Sequence, residues 1–166
     1  MDYDLLEKLF QLIKEQSLDI KFIFSGGGEK LEYLKALLQR YELIKKTEFH
    51  DEFVTWESRS APYLKSDIFI YLSIHAGWGL VVPEAMASEN LVIASDKTDS
   101  ANFLIQDGTN GYLYHSHSQF LEKFNFCYAE VANLQHVRKA AGLDSLSVDA
   151  KFMSRQLLKI LDIFNE

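Results

Sequence analysis

The sequence predicts an α/β fold, a Rossmann-like doubly wound parallel sheet, on three observations. Short β-rich runs alternate with segments of helical periodicity, the signature of βαβ units with helices on both faces of a sheet. Two of the runs, Asp67-Ile68-Phe69-Ile70-Tyr71-Leu72 and Leu91-Val92-Ile93-Ala94-Ser95, are nearly continuous in apolar residues. Strands covered on both faces read that way. Most of the glycines fall where an element ends and the chain must turn, at 26–28, 77–79 and 108–111.

The elements follow in order. Leu5, Leu6, Leu9, Leu12 and Ile13 recur at helical spacing and predict an amphipathic helix over about residues 4–16. Ile20-Lys21-Phe22-Ile23-Phe24 is a short strand, closed by Ser25-Gly26-Gly27-Gly28. Leu31, Leu34, Leu37 and Leu38 mark a second helix. A short strand and loop are expected over 47–54, and a short helix over 58–64. The strand at 67–72 leads through a loop, Ser73 to Gly79, into a helix from Leu80 to Ala87. The strand at 91–95 follows. The turn Asp107-Gly108-Thr109-Asn110-Gly111 precedes the short strand Tyr112-Leu113-Tyr114. Helices are expected over about 118–133, 134–141 and 148–164.

Composition bounds the function. The 166 residues fit one domain, residues 1–166, with enough chain to bury a core. Seventeen Lys+Arg against 24 Asp+Glu leave a net charge of −7, which argues against a nucleic-acid footprint and against docking on an anionic membrane. Cys127 is the only cysteine, which excludes an internal disulfide and a cysteine-built zinc cluster. No apolar run approaches the ~20 residues of a membrane span, and the start, MDYDLLEKLF, is acidic where a signal peptide is basic. A cytoplasmic domain is the expectation. A doubly wound domain ordinarily opens with a strand, whereas this chain opens with a helix. Either a first strand has been lost or the chain is part of something larger. A missing strand exposes a sheet edge and predicts association with a partner or with a second copy.

Ligands on open parallel sheets bind beyond the carboxyl ends of the strands. That rule puts Gly26–Gly28, Ser73–Gly79 and Ser95–Ala101 on one rim. Gly26, Gly27 and Gly28 let backbone N–H groups approach a phosphate, or simply make a tight strand-to-helix turn. Lys30 and Leu31 follow Glu29, so the pattern is not a dinucleotide fingerprint. Gly77 and Gly79 flank Trp78 just before a helix, whose first N–H groups, at Leu80 and Val81, can hold a diphosphate. Glu84, in the first or second turn, can accept hydrogen bonds from the vicinal hydroxyls of a ribose, or merely complement the helix dipole. His75 sits in the rim loop, where it can touch ligand. His115 and His117 are two apart but lack a nearby third ligand, so they read as a solvated turn and no metal site is expected. Cys127 reads as core.

The run from Ser73 to Tyr114, SIHAGWGLVVPEAMASENLVIASDKTDSANFLIQDGTNGYLY, resembles the donor-binding half of retaining GT-B glycosyltransferases, most of all the group 1 family, also called family 4. The family pattern there is roughly S-x-x-E-G-[FW]-G-L-V-x-x-E-A-M-A-x-G-x-P-V-I-A-S, followed later by D-G-x-N-G. Gly77, Trp78, Gly79, Leu80, Val81, Glu84, Ala85, Met86, Ala87 and Val92 to Ser95 match without a gap, and 107–111 match again. The resemblance implies that Glu84 is the second glutamate of an E-x7-E motif and holds the ribose of a nucleotide sugar. It implies that Gly79, Leu80 and Val81 offer N–H groups to the diphosphate and donor sugar, that Gly26–Gly28 border the nucleotide, and that the segment around 50–54 approaches the base. Four positions depart from the pattern. Ala76 stands where the first motif glutamate binds the donor sugar. Glu89 replaces a glycine, Leu91 a proline, and Asp99 a glycine in the loop after the next strand.

The expected function is the donor-binding domain of a retaining glycosyltransferase in surface polysaccharide or glycan biosynthesis. Its ligand is a UDP-, GDP- or ADP-linked sugar, with no other cofactor. The acceptor-binding domain is expected on a separate chain or a missing segment. The alternative is a degenerate, non-catalytic nucleotide-binding or protein-interaction module derived from that domain; Ala76 favours it.

Overall fold

The computed structural model describes residues 1–50, 60–74 and 77–146. They divide into two compact units, Met1–Ser66 and Asp67–Glu166. The strands pair as two parallel sheets, β1-β2 and β3-β4-β5, so the parallel α/β architecture expected from the sequence is realised as one sheet in each unit.

The first unit opens with α1, Tyr3–Glu15. Asp2 caps it by accepting from the Leu5 N–H at 3.0 Å, which satisfies one of the orphan donors of the first turn. Leu5, Leu6, Leu9, Phe10 and Ile13 form its buried stripe. Strand β1, Phe22–Ser25, runs parallel to β2, Thr47–His50, with Phe24 opposite Phe49. Phe22 and Phe24 lie two apart, hence on one face of the strand. Phe22 meets Phe10 edge-on at 5.3 Å between centroids, and Phe24 stacks on Phe49 at 5.9 Å. These ring contacts seat α1 on the sheet. Helix α2, Leu31–Arg40, buries Leu34, Leu37 and Leu38, and a 3-10 turn over Ile44–Lys46 leads into β2. A one-turn helix, α3, Ala61–Leu64, has proline in its first turn, where the missing N–H costs nothing.

The second unit is built on β4, Leu91–Ser95, with all five residues buried. It lies between β3, Ile68–Tyr71, and β5, Tyr112–Tyr114. Helices α4, Val81–Ala87, α5, Asp99–Leu104, α6, His117–Glu130, and α7, Gln135–Ser145, complete it. On α6 the buried residues Phe120, Phe124 and Cys127 follow the i, i+4, i+7 spacing of one helical face. Arg138 of α7 donates from Nε to the Glu89 carbonyl at 2.6 Å, which ties α7 to the end of α4.

Three helices end alike. After α1, α2 and α4 the residues Ser17, Glu42 and Glu89 take φ of 53°, 62° and 55°. Each is followed by a 6→1 bond: Leu18 N–H to Ile13 O, Leu43 N–H to Leu38 O, and Asn90 N–H to Ala85 O. These are Schellman caps, whose left-handed residue is ordinarily glycine. Glu89 is one of the departures noted in the sequence. The family glycine there has a physical reason, and the glutamate carries a left-handed backbone in its place.

Helix α5 was not expected: 95–101 reads as rim loop in the sequence. Its six residues are too few to show periodicity, and no side chain caps its N-terminus. The expected helix over 148–164 and the expected segment 51–54 lie outside the described residues, as does the start of the helix expected over 58–64.

Candidate functional site

Strands β3 and β4 are neighbours, so the segments leaving their carboxyl ends lie side by side. After β3 come buried Leu72 and Ser73, then the glycine loop and α4. After β4 come Asp96, Lys97 and buried Thr98, then α5. Five of the expected site residues, Gly77, Gly79, Leu80, Val81 and Glu84, therefore sit together at the carboxyl end of β3. Gly77 and Leu80 are exposed, and Gly79, Val81 and Glu84 are half-buried.

The glycine loop is fixed by the segment after β4. Ser100 N–H donates to Trp78 O at 3.0 Å, and Ser100 Oγ donates to Gly79 O at 2.9 Å. Gly79 has a φ of +75°, and a Cβ built there would stand 2.8 Å from Thr98 Cγ2 and 3.5 Å from Tyr71 Cε1. Only glycine fits that corner, on both counts. Thr98 Oγ1 is buried without a hydrogen-bond partner among the described residues. Gly79 O also accepts from Val82 N–H, and Leu80 O from Glu84 N–H. The N–H groups of Gly79, Leu80 and Val81 have no acceptor among the described residues. Glu84 lies in the first turn of α4, on a short helix whose dipole favours a carboxylate there.

Gly26, Gly27 and Gly28 belong to the other unit, at the carboxyl end of β1. They are exposed, with Gly26 N–H donating to His50 O at 2.9 Å. His75, with Ala76, lies outside the described residues. Asp99 is exposed in the first turn of α5.

The turn at 107–111 proves to be a structural knot. Asn110 is buried; its Oδ1 accepts from Gln106 N–H, and its Nδ2 donates to Leu104 O and to Asp144 Oδ2. Asp107 Oδ1 accepts from Leu113 N–H and pairs with Lys123 at 2.6 Å. Cys127 is buried, and burial pushes its thiol up to about 12. A thiol held protonated is no nucleophile. His115 is exposed with Nδ1 at 2.8 Å from Asp96 Oδ2. Among the described residues no cluster of three His, Cys, Asp or Glu side chains is arranged to hold a metal ion, and no helix is long and apolar enough to cross a membrane.

Sequence reasoning missed Thr98 and Ser100. Both lie about twenty positions from the loop they hold, and serine or threonine after a strand carries no motif.

Among solved structures, TarM of S. aureus superposes with a TM-score of 0.79 at 21% identity, covering 99% of this chain and 32% of that one. The pneumococcal O-GlcNAc transferase GtfA, in complex with UDP and GlcNAc, gives 0.73 at 18% identity, covering 99% and 34%. HepE of Anabaena, in complex with UDP-glucose, gives 0.75 at 20%, covering 93% and 44%. At these identities the likeness shows the fold, that of GT-B glycosyltransferase domains. The chain thus spans 32% to 44% of the length of those proteins. No curated protein matches it. The sequence matches the family of group 1 glycosyl transferases over residues 2–141, and the chain belongs to that family.

Proposed function

We propose that this chain binds the nucleotide-sugar donor of a retaining glycosyltransferase, which moves a glycosyl group from a nucleoside diphosphate to an acceptor hydroxyl. The observation that carries the reading is the grouping at the end of β3. Glu84 stands one turn beyond a glycine loop whose N–H groups at Gly79 and Leu80 have no acceptor among the described residues. Family membership gives that grouping its meaning. The bound UDP in the GtfA and HepE structures supports a nucleoside diphosphate as the ligand class.

Breaking a glycosyl–phosphate bond leaves negative charge on the departing diphosphate. Preorganised N–H donors stabilise that charge without reorganisation at the moment of reaction. In this reading Gly79, Leu80 and Val81 supply the donors, and Glu84 accepts from the ribose hydroxyls and so sets the register of the nucleotide. The acceptor is bound by a further domain, and the pathway is surface polysaccharide or glycan assembly. The test is a nuclear magnetic resonance titration with UDP, GDP and ADP. One of the three should shift the amides of Gly79, Leu80 and Glu84 saturably; shifts confined to other residues would overturn the reading.

Ala76 and Asp99 favour a second reading, a nucleotide-binding module without catalysis. An alanine offers the donor sugar no carboxylate, and an exposed Asp99 brings negative charge to the carboxyl end of β4. The two readings part on the sugar. A donor domain binds the nucleotide sugar at least as well as the bare diphosphate, whereas the module gains nothing from the sugar.

A further inference from the structure

We infer that Ser100 is a positioning residue for the glycine loop, and that it aims the two amides on which donor binding depends. The inference deepens the proposed function and rests on it for the identity of the ligand, but not for the geometry.

The argument starts from peptide planarity. In a trans peptide the carbonyl of one residue and the N–H of the next point in opposite directions. Fixing a carbonyl therefore fixes the following N–H. Ser100 fixes two carbonyls in succession: its N–H donates to Trp78 O at 3.0 Å, and its hydroxyl donates to Gly79 O at 2.9 Å. The N–H of Gly79 and the N–H of Leu80 are thereby both turned away from α5. Neither has an acceptor among the described residues.

Ser100 can do this because of its place in the fold. It is the second residue of α5, so its N–H falls within the first turn and has no intrahelical acceptor. That donor is free to grip a loop. The side chain is fully buried, where a hydroxyl without a partner is costly, so the bond to Gly79 O is strongly held. Thr98 closes the other side. Its methyl occupies the space that a Cβ at Gly79 would need. Trp78 and Phe103 lie with ring centroids 5.7 Å apart, which joins the outer face of the loop to the same helix. The loop thus takes its shape from α5 and not from its own sequence alone.

Four proteins test this: wild type, Ser100→Ala, Ser100→Thr and Ser145→Ala. The last removes a different buried hydroxyl, one that donates to Gly142 O in α7, and serves as a control for general loss of stability. Ser100→Thr restores a hydroxyl. Two readouts are taken on each: backbone order parameters of Gly79 and Leu80 without ligand, and UDP affinity by calorimetry. In Ser100→Ala the order parameters should fall and UDP affinity should drop about tenfold, the effect of one hydrogen bond of ordinary strength. Ser145→Ala should leave both within twofold of wild type, and Ser100→Thr should recover most of the affinity. Unchanged order and unchanged affinity in Ser100→Ala would overturn the inference. If the wild type binds none of UDP, GDP and ADP, the proposed function fails, and the order parameters alone decide the positioning role; if it binds GDP or ADP instead of UDP, that diphosphate replaces UDP in the calorimetry. If Ser100→Ala does not fold, hydrogen exchange on the wild type decides it. The Ser100 amide should be protected through its bond to Trp78 O, and exchange at the free-chain rate would refute the clamp.

Discussion

At the end of β1, Gly26 and Gly28 take φ of +112° and +146°, with no atom of the described residues within 4 Å of where a Cβ would stand; at the end of β3, Gly79 takes +75° with Thr98 Cγ2 2.8 Å from that point. Among the described residues, the first loop is therefore constrained by backbone conformation alone. The second is chosen for conformation and for room, and its carbonyls are held from α5. A loop constrained only by its own φ angles can bend to a ligand at little cost. A loop packed on a buried threonine and bonded to a buried serine is preorganised, and what it offers a ligand does not have to be arranged on binding.

That contrast gives a graded series of substitutions. Gly79→Ala should do the most damage. It meets the left-handed backbone and the Thr98 methyl together, and should cost about 2–4 kcal/mol in a denaturant titration. Gly28→Ala meets the backbone penalty alone and should cost about 1–2 kcal/mol. Equal losses at the two positions would erase the distinction between the loops. Glu89→Gly works in the opposite direction. It relieves a left-handed residue in a cap and should stabilise by about 0.5–1 kcal/mol, so the midpoint should rise. Cys127 lies outside both loops and is the smallest effect. At pH 8 a maleimide should leave it unmodified in the native protein and react readily once denaturant is added. The sign follows from the raised pKa, because the native thiol stays protonated well above the pH at which an unfolded cysteine ionises.

Much of this was legible beforehand, for reasons that differ from element to element. The strand Leu91–Ser95 stands where its apolar run placed it, since a central parallel strand must be apolar on both faces. Helix α1 came from its leucine spacing to within one residue at each end. The glycine loop and the place of Glu84 in the helix after it were legible because glycine before a helix and a carboxylate in its first turn are local signals. Helix α5 was missed because six residues give no period. Ser100 and Thr98 were missed because their partners, Trp78 and Gly79, are brought to them only by the pairing of β3 with β4. The turn at 107–111 shows the converse: its motif helped to identify the family, yet Asn110 and Asp107 spend their hydrogen bonds on Leu104, Gln106, Leu113, Lys123 and Asp144. A family motif can mark a structural joint as well as a ligand contact.

The central claim is that the end of β3 is a donor pocket. The most direct measurement is a calorimetric titration with UDP, GDP and ADP, repeated on Glu84→Ala. The account predicts saturable binding of one diphosphate by the wild type and its loss in Glu84→Ala, with the thermal midpoint of the variant unchanged. No binding at millimolar ligand, or binding that Glu84→Ala leaves intact, would contradict it.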